Sequence, residues 1–377
     1  MIVAMTSATL TLLAALFAQA PQGPPPVVSP EVHADRSVTF RLRMPNAKEV
    51  QLSREGAPRA PMQRGDDGVW SITTPPLEPD IYGYSFLVDG VSIVDPMNAM
   101  MKTNLLNLSN MVHVPGNGLP WEVANVPRGT VNHHFYRSGI IGDDRDFYVY
   151  TPPGYDPTAK TQYPVLYLLH GFSDDASGWT AVGRAHVIFD NLIAQGKMKP
   201  MLVVMTLGYG APEIVTRRGT AAFRDPALTQ KNFDRYRDAL FAEVIPAVEK
   251  AYRARSDRES RAIAGLSMGG ATSLFVGLNA IDRFAWIGAF SSGGLNGEKL
   301  ADTFPALDAK ANSRLKLLWI GCGKEDFLWN FHNQLKAFLA SKGVNATIVE
   351  TPGAHTWMVW RRYLAEFAPL LFQAKAS

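Results

Sequence analysis

AIAGLSMGGATSLFV (Ala262–Val276) sets a serine between glycines where an apolar run gives way to a helix-like pattern. Its centre, Gly265-Leu266-Ser267-Met268-Gly269, matches G-x-S-x-G. That pattern marks a strand–turn–helix elbow: backbone segments approach too closely for Cβ atoms, and the central serine is held in a strained conformation above a sheet. The helix that begins there directs its N-terminal dipole at the place where negative charge develops. A bare G-x-S-x-G occurs often by chance. Here it lies between a buried-strand pattern and a helix pattern, with a further glycine at Gly270, and it is read as a turn that exposes Ser267 for attack.

The surrounding chain carries the fold class. From Gly129, apolar runs alternate with helical patterns. YPVLYLLHGF and PMLVVMTLGYG are nearly continuous apolar stretches, as expected of strands buried on both faces. WTAVGRAHVIFDNLIAQG, DRYRDALFAEVIPAVEKAY and NFHNQLKAFLASKG are predicted helices. FAWIGAFSSG, RLKLLWIGCGKED and NATIVETPG are predicted strands. Such alternation implies an α/β domain over 129–377, with a mostly parallel sheet covered on both sides. Ahead of it, 31–116 reads as all-β, a small sandwich. In IYGYSFLVDGVSIVDPMN the residues Tyr82, Tyr84, Phe86 and Val88 share one strand face, and Asp89-Gly90 makes a tight hairpin turn. That aromatic stripe is read as core rather than as a sugar platform. Residues 117–128 are predicted to link the domains.

At 377 residues the chain accommodates both domains. Its 46% hydrophobic and 19% charged residues are those of a globular protein, and a net charge of +3 gives no argument for nucleic acid. The single cysteine, Cys322, excludes an intrachain disulfide and a cysteine-rich metal site. Residues 1–20 resemble an export signal: Leu10 to Phe17 is apolar but too short to span a bilayer, and Ala18-Gln19-Ala20 fits a cleavage site. The expected location is secreted or periplasmic, without stable membrane insertion. A proline-rich linker, 21–30, follows. His133 and His134 adjoin on a predicted strand, where neighbours face opposite ways, so they make poor metal co-ligands.

A serine hydroxyl needs a base, and in this fold the chain order is serine, acid, histidine. Only His332 and His355 follow Ser267. His332 lies inside a predicted helix, whereas His355 sits in TPGAHTWMVW, a loop after the last strand, where sheet C-terminal ends meet ligands. His355 is therefore the expected base. Asp326 ends LLWIGCGKED beside that loop and is the expected acid; Glu325 shares its address with the opposite orientation. The oxyanion needs two amides, expected from Met268 and from Phe172 in HGFSDDASGW. His170 is read as structural. Trp179, Trp329 and Trp357 are candidates to wall a substrate site, and Arg217, Arg218 and Arg224 to edge it from a turn-rich loop.

Together LLHGFSDDASGW, GLSMGG, GCGKED and GAHTWMVWRRYL resemble the esterase D superfamily, which includes feruloyl, acetylxylan and enterochelin-type esterases and mycolyltransferases. The sandwich resembles the immunoglobulin-like domain that precedes glycogen-branching enzymes and many bacterial carbohydrate esterases, some of which bind glycan while others only brace the enzyme. The resemblance implies an α/β-hydrolase fold and an exported Ser267–His355–Asp326 esterase acting on feruloyl or acetyl esters of xylan, with no metal or organic cofactor. Siderophore esters, polyesters, acyl transfer to a sugar, or a catalytically silent glycan-binding role remain alternatives. Phe172-Ser173 departs from the glycine-rich oxyanion loop of that family, which bears on pocket shape.

Overall fold

A computed structural model describes residues 26–215, 221 and 225–373. The signal-like segment, the start of the proline-rich stretch and Arg217, Arg218 and Arg224 lie outside them.

The apolar runs form one eight-stranded sheet. Its spatial order is Thr130–Arg137, Asp144–Thr151, Leu202–Thr206, Val165–Leu169, Arg261–Leu266, Trp286–Phe290, Leu317–Gly323 and Thr347–Thr351. The first two strands are antiparallel to their neighbours and the other six are parallel. Period-two alternation splits the central strand between two cores: Val165, Tyr167 and Leu169 pack on one face of the sheet, Leu166 and Leu168 on the other. The chain leaves Val165–Leu169 for one neighbour and returns to the other side with Arg261–Leu266. That reversal opens a crevice at the strands' carboxyl ends, the usual position of a ligand in such sheets.

Two predicted helices differ in form. WTAVGRAHVIFDNLIAQG is broken into Gly178–Ala181 and Ala185–Ala194. A Cβ at Gly183 would lie 2.7 Å from Trp357 and 2.8 Å from Trp179, and Arg184 adopts a left-handed φ of +58°. Close tryptophan packing thus outweighs helical continuity. The second helix begins earlier, at Pro226 after its Asp225 cap, and passes through a π turn, Leu240–Val244, into Ile245–Ala251. Pro246 has no amide to donate, and the widened turn removes its clash with the preceding backbone.

Residues 31–114 form two antiparallel sheets over a shared core, with Val38, Phe40 and Trp70 against Leu52, Tyr84, Phe86 and Val112. Asp89 and Gly90 both have positive φ and turn Asp80–Val88 into Val91–Ile93. The aromatic stripe is indeed inside: Tyr82, Tyr84 and Phe86 are all buried.

This sandwich is welded to the α/β domain. Ile81, Met111 and Trp121 belong to the α/β domain's own apolar core. Arg361, fully buried, donates to the Asp80 carboxylate at 2.7 and 3.1 Å and to the Val182 carbonyl at 3.0 Å. Residues after 116 are anchored as well, since Asn191 donates to the Pro120 and Glu122 carbonyls. Among the described residues no helix is long and apolar enough to cross a membrane.

Candidate active site

Ser267 stands between Arg261–Leu266 and the helix Met268–Asn279 with φ +53° and ψ −118°, a region that L-residues rarely occupy. Surrounding bonds hold it there: its amide donates to the Phe290 carbonyl at 2.8 Å, and its carbonyl accepts from Ala271 and Gly293. The flanking glycines are required by contact. A Cβ at Gly265 would lie 2.5 Å from the Gly269 backbone, and one at Gly269 only 2.4 Å from the His170 carbonyl oxygen.

His355 lies in the loop between Thr347–Thr351 and the helix Trp357–Phe367. Its Nε2 is 3.0 Å from the Ser267 Oγ, and its Nδ1 is 2.8 and 3.0 Å from the two Asp326 carboxylate oxygens. The Asp326 side chain is wholly buried. Burial pushes its carboxyl pKa up, but the His355 hydrogen bond and charge and the Leu328 amide outweigh this and hold it below the ordinary value. An ionised Asp326 accepts the proton of Nδ1, which leaves Nε2 as acceptor for the serine hydroxyl. Glu325 faces elsewhere and accepts from the Gly353 amide at the base of the His355 loop. His332 is buried against Glu350 and stacked on Trp329, far from the serine in the hydrogen-bond network.

The 170–174 loop crosses directly above Ser267: a Cβ at Gly171 would be 3.3 Å from the serine Cβ. His170 shapes this loop. Its Nε2 accepts from the Gly208 amide at 2.9 Å, so Nδ1 carries the proton and donates to the Gly171 carbonyl. Burial depresses its pKa to about 4, which keeps the ring neutral. Phe172 lines the cavity beside Ser267, and Met268 opens the helix, whose first-turn amides lack helical partners.

The three tryptophans have different fates. Trp179 is fully buried and donates its indole N–H to the Leu169 carbonyl, so it presents no face to a substrate. Trp329 begins the helix Trp329–Ser341, stacks on His332 and lies outside the cavity at Ser267. Trp357 is mostly buried but lines that cavity, along with Trp360. His133 and His134 do face apart, to Asp146 and Tyr252.

Four functional candidates escape a reading of the motifs alone. Phe327, 76% exposed, lays its ring 4.5 Å from that of His355. The others come from the sandwich. Glu55, Lys102 and Asn104 line the same cavity of about 170 Å³ as Ser267 and His355. Asn104 donates to Ser173 Oγ and to the Asp174 carboxylate, and the Leu105 amide donates to the Ser173 carbonyl at 2.7 Å. The loop above the serine is therefore held from the other domain. A hairpin-rich sequence carries no mark of such a contact.

The fold and this site define an esterase-type α/β protein. The chain belongs to the putative esterase family, whose model matches residues 138–371. Over 365 residues it is 27% identical to an endo-1,4-beta-xylanase/feruloyl esterase of Xylanibacter ruminicola, covering 95% of this chain and 48% of that protein. The chain thus spans about half the length of this relative. Among solved structures, the ferulic acid esterase of Anaeromyces mucronatus superposes with a TM-score of 0.57 at 23% identity, over 68% of this chain and 96% of its own. The enterobactin esterase of Shigella flexneri gives 0.65 at 18% identity over 88% of this chain and 92% of its own, a share that residues from 129 onward cannot supply alone.

Proposed function

We propose that the chain is an exported serine esterase that removes feruloyl or acetyl groups from plant cell-wall polysaccharide, above all xylan. The observation that carries this reading is the unbroken relay from the Asp326 carboxylate through His355 to the Ser267 hydroxyl, with contacts of 2.8 and 3.0 Å. His355 takes the serine proton as Oγ bonds to the ester carbonyl carbon, and the amides of Met268 and Phe172 receive the oxyanion. Collapse of the tetrahedral centre breaks the ester C–O bond, and His355 protonates the departing sugar oxygen. Water then attacks the acyl-enzyme and gives its proton to His355; as the acyl–Oγ bond breaks and releases the acid, His355 returns that proton to the Ser267 oxygen. No step calls on a metal or organic cofactor. The relative in Xylanibacter ruminicola, an endo-1,4-beta-xylanase/feruloyl esterase, supports a feruloyl ester of xylan as substrate. Sandwich residues in the cavity support a bracing role for that domain rather than a separate binding module.

A second reading, hydrolysis of a catechol siderophore ester, is favoured by the enterobactin esterase superposition, which reaches into the sandwich. The test is turnover of a short-acyl chromogenic ester, lost in Ser267→Ala, followed by methyl ferulate, acetylated xylan and a catecholate ester compared by kcat/KM. No hydrolysis of any ester, with xylan binding retained, overturns the enzyme reading. Preference for the catecholate overturns the polysaccharide substrate.

A further inference from the structure

The cavity at Ser267 is lined by both aromatic and charged side chains: Trp357, Trp360 and Phe172, together with Lys102, Glu55 and Asp174. At about 170 Å³ the space admits an acyl group but no run of sugar residues, so a polymeric alcohol has to lie across the open rim. The acyl group of the ester then enters the cavity.

The charged lining residues suit a polar group. Glu55 and Lys102 side chains are 12% and 19% exposed, and Asp174 is 5% exposed, values far from those of solvated surface charges. Glu55 is committed: one oxygen accepts from the Trp357 amide at 2.9 Å, the other from the Gly83 amide at 3.0 Å. Lys102 is not. Its partner among the described residues is Glu55 at 3.4 Å, a long contact that leaves ammonium protons to donate. Asp174 lines the same cavity, and one of its oxygens accepts from Asn104. Burial raises its pKa to about 7, so near neutrality the carboxyl is present both protonated and ionised.

We propose that Lys102, delivered by the sandwich domain, with Glu55 and Asp174 forms a subsite that reads a hydroxyl group on an aromatic acyl moiety. A hydroxyl is both acceptor and donor, and the cavity offers the Lys102 ammonium to the first role and the Asp174 carboxyl to the second. A bare acetyl or unsubstituted aryl group leaves the remaining ammonium protons and the Asp174 carboxyl desolvated without a further partner, which disfavours it. The sandwich is then a specificity element of the active site. This inference rests on the esterase reading above.

The test uses the full chain and two esters that differ by one hydroxyl, methyl 4-hydroxycinnamate and methyl cinnamate. The wild type is expected to favour the hydroxylated ester in kcat/KM by about tenfold or more. In Lys102→Met that ratio should fall toward one, mainly through the hydroxylated ester, while Lys102→Arg should keep part of it. Should Lys102→Met fail to fold, inhibition of the wild type by free 4-hydroxycinnamate against cinnamate reads the same preference. Equal rates and equal inhibition in the wild type, or an unchanged ratio in Lys102→Met, overturn the subsite while leaving the esterase intact. Absence of hydrolysis of these and of every short-acyl ester overturns both.

Discussion

The Glu55 carboxylate accepts a hydrogen bond from the Trp357 amide at 2.9 Å, joining residues 302 positions apart and two different domains. Trp357 is the first residue of its helix, so the bond places a negative charge at a helix N-terminus. It also ties down the chain two residues past His355. Burial pushes the Glu55 carboxyl pKa up, but the Lys102 charge, the Trp357 and Gly83 amides and the Arg361 charge outweigh burial and hold it below its ordinary value. Ionised Glu55 therefore contributes stability above its unfolded value of about 4.5, lost as pH falls through the folded one. Glu55→Gln should lower the melting temperature at pH 7, with the difference from wild type shrinking as pH falls below 4.5 through the lowered folded value. Glu55→Ala should reduce kcat by about tenfold through a misplaced His355, as small displacements of catalytic groups do.

The Ser267 conformation yields a second expectation. Holding a non-glycine residue in such a region costs about 1–3 kcal/mol, and only glycine escapes it. Ser267→Ala removes the hydroxyl and keeps the strain; Ser267→Gly removes both, at the expense of about 0.4–1 kcal/mol of added unfolded-state entropy. Both variants should lose turnover, with Ser267→Gly more stable by up to about 2 kcal/mol in chemical denaturation. Equal stability of the two would show that the elbow stores no strain.

The sequence made the sheet readable because strands buried on both faces are apolar throughout, and it made the meeting of Ser267, His355 and Asp326 readable because so few histidines follow the serine. Which side chains reach the cavity was not readable. Trp179, the last residue of HGFSDDASGW, spends its indole N–H on the Leu169 carbonyl inside the core, while Phe327 lies open against His355. Neither Glu55 in a strand-to-turn stretch nor Lys102 in a two-residue strand carries a motif, since their role arises from a contact across domains. The break at Gly183 was hidden because a local helical pattern yields to Trp357, brought in from far along the chain to pack against Trp179.

Asp80 and Arg361 predict how the domains unfold. Asp80 also pairs with Arg362 at 2.7 Å, so one buried carboxylate meets two guanidinium groups between the domains. Removing one partner of such a buried pair costs about 3–5 kcal/mol because the other charge stays desolvated, whereas replacing both by apolar side chains restores much of the loss. Asp80→Leu should destabilise the chain by about that amount and Asp80→Leu with Arg361→Met by clearly less. Calorimetry should show a single transition, since sandwich and α/β residues share a core. Two resolved transitions would separate the domains energetically.

Asp174 predicts a dependence on pH opposite in sign to that of Glu55. Its buried carboxyl has a folded pKa of about 7 against an ordinary 3.8, with burial the main cause and the Lys102 charge and Asn104 hydrogen bond opposing it. Between those values the folded chain keeps a proton that the unfolded chain has lost. Stability from this residue is therefore full below pH 3.8 and declines by up to about 1.4 kcal/mol per pH unit until it levels off above pH 7. Asp174→Asn cannot titrate and should lack that decline. Its stability relative to wild type, followed by denaturant titration from pH 4 to 8, should improve steadily up to pH 7 and then stay level. A relative stability that stays constant across this range would mean that Asp174 is ionised throughout, with Lys102 rather than a proton balancing its charge in the cavity.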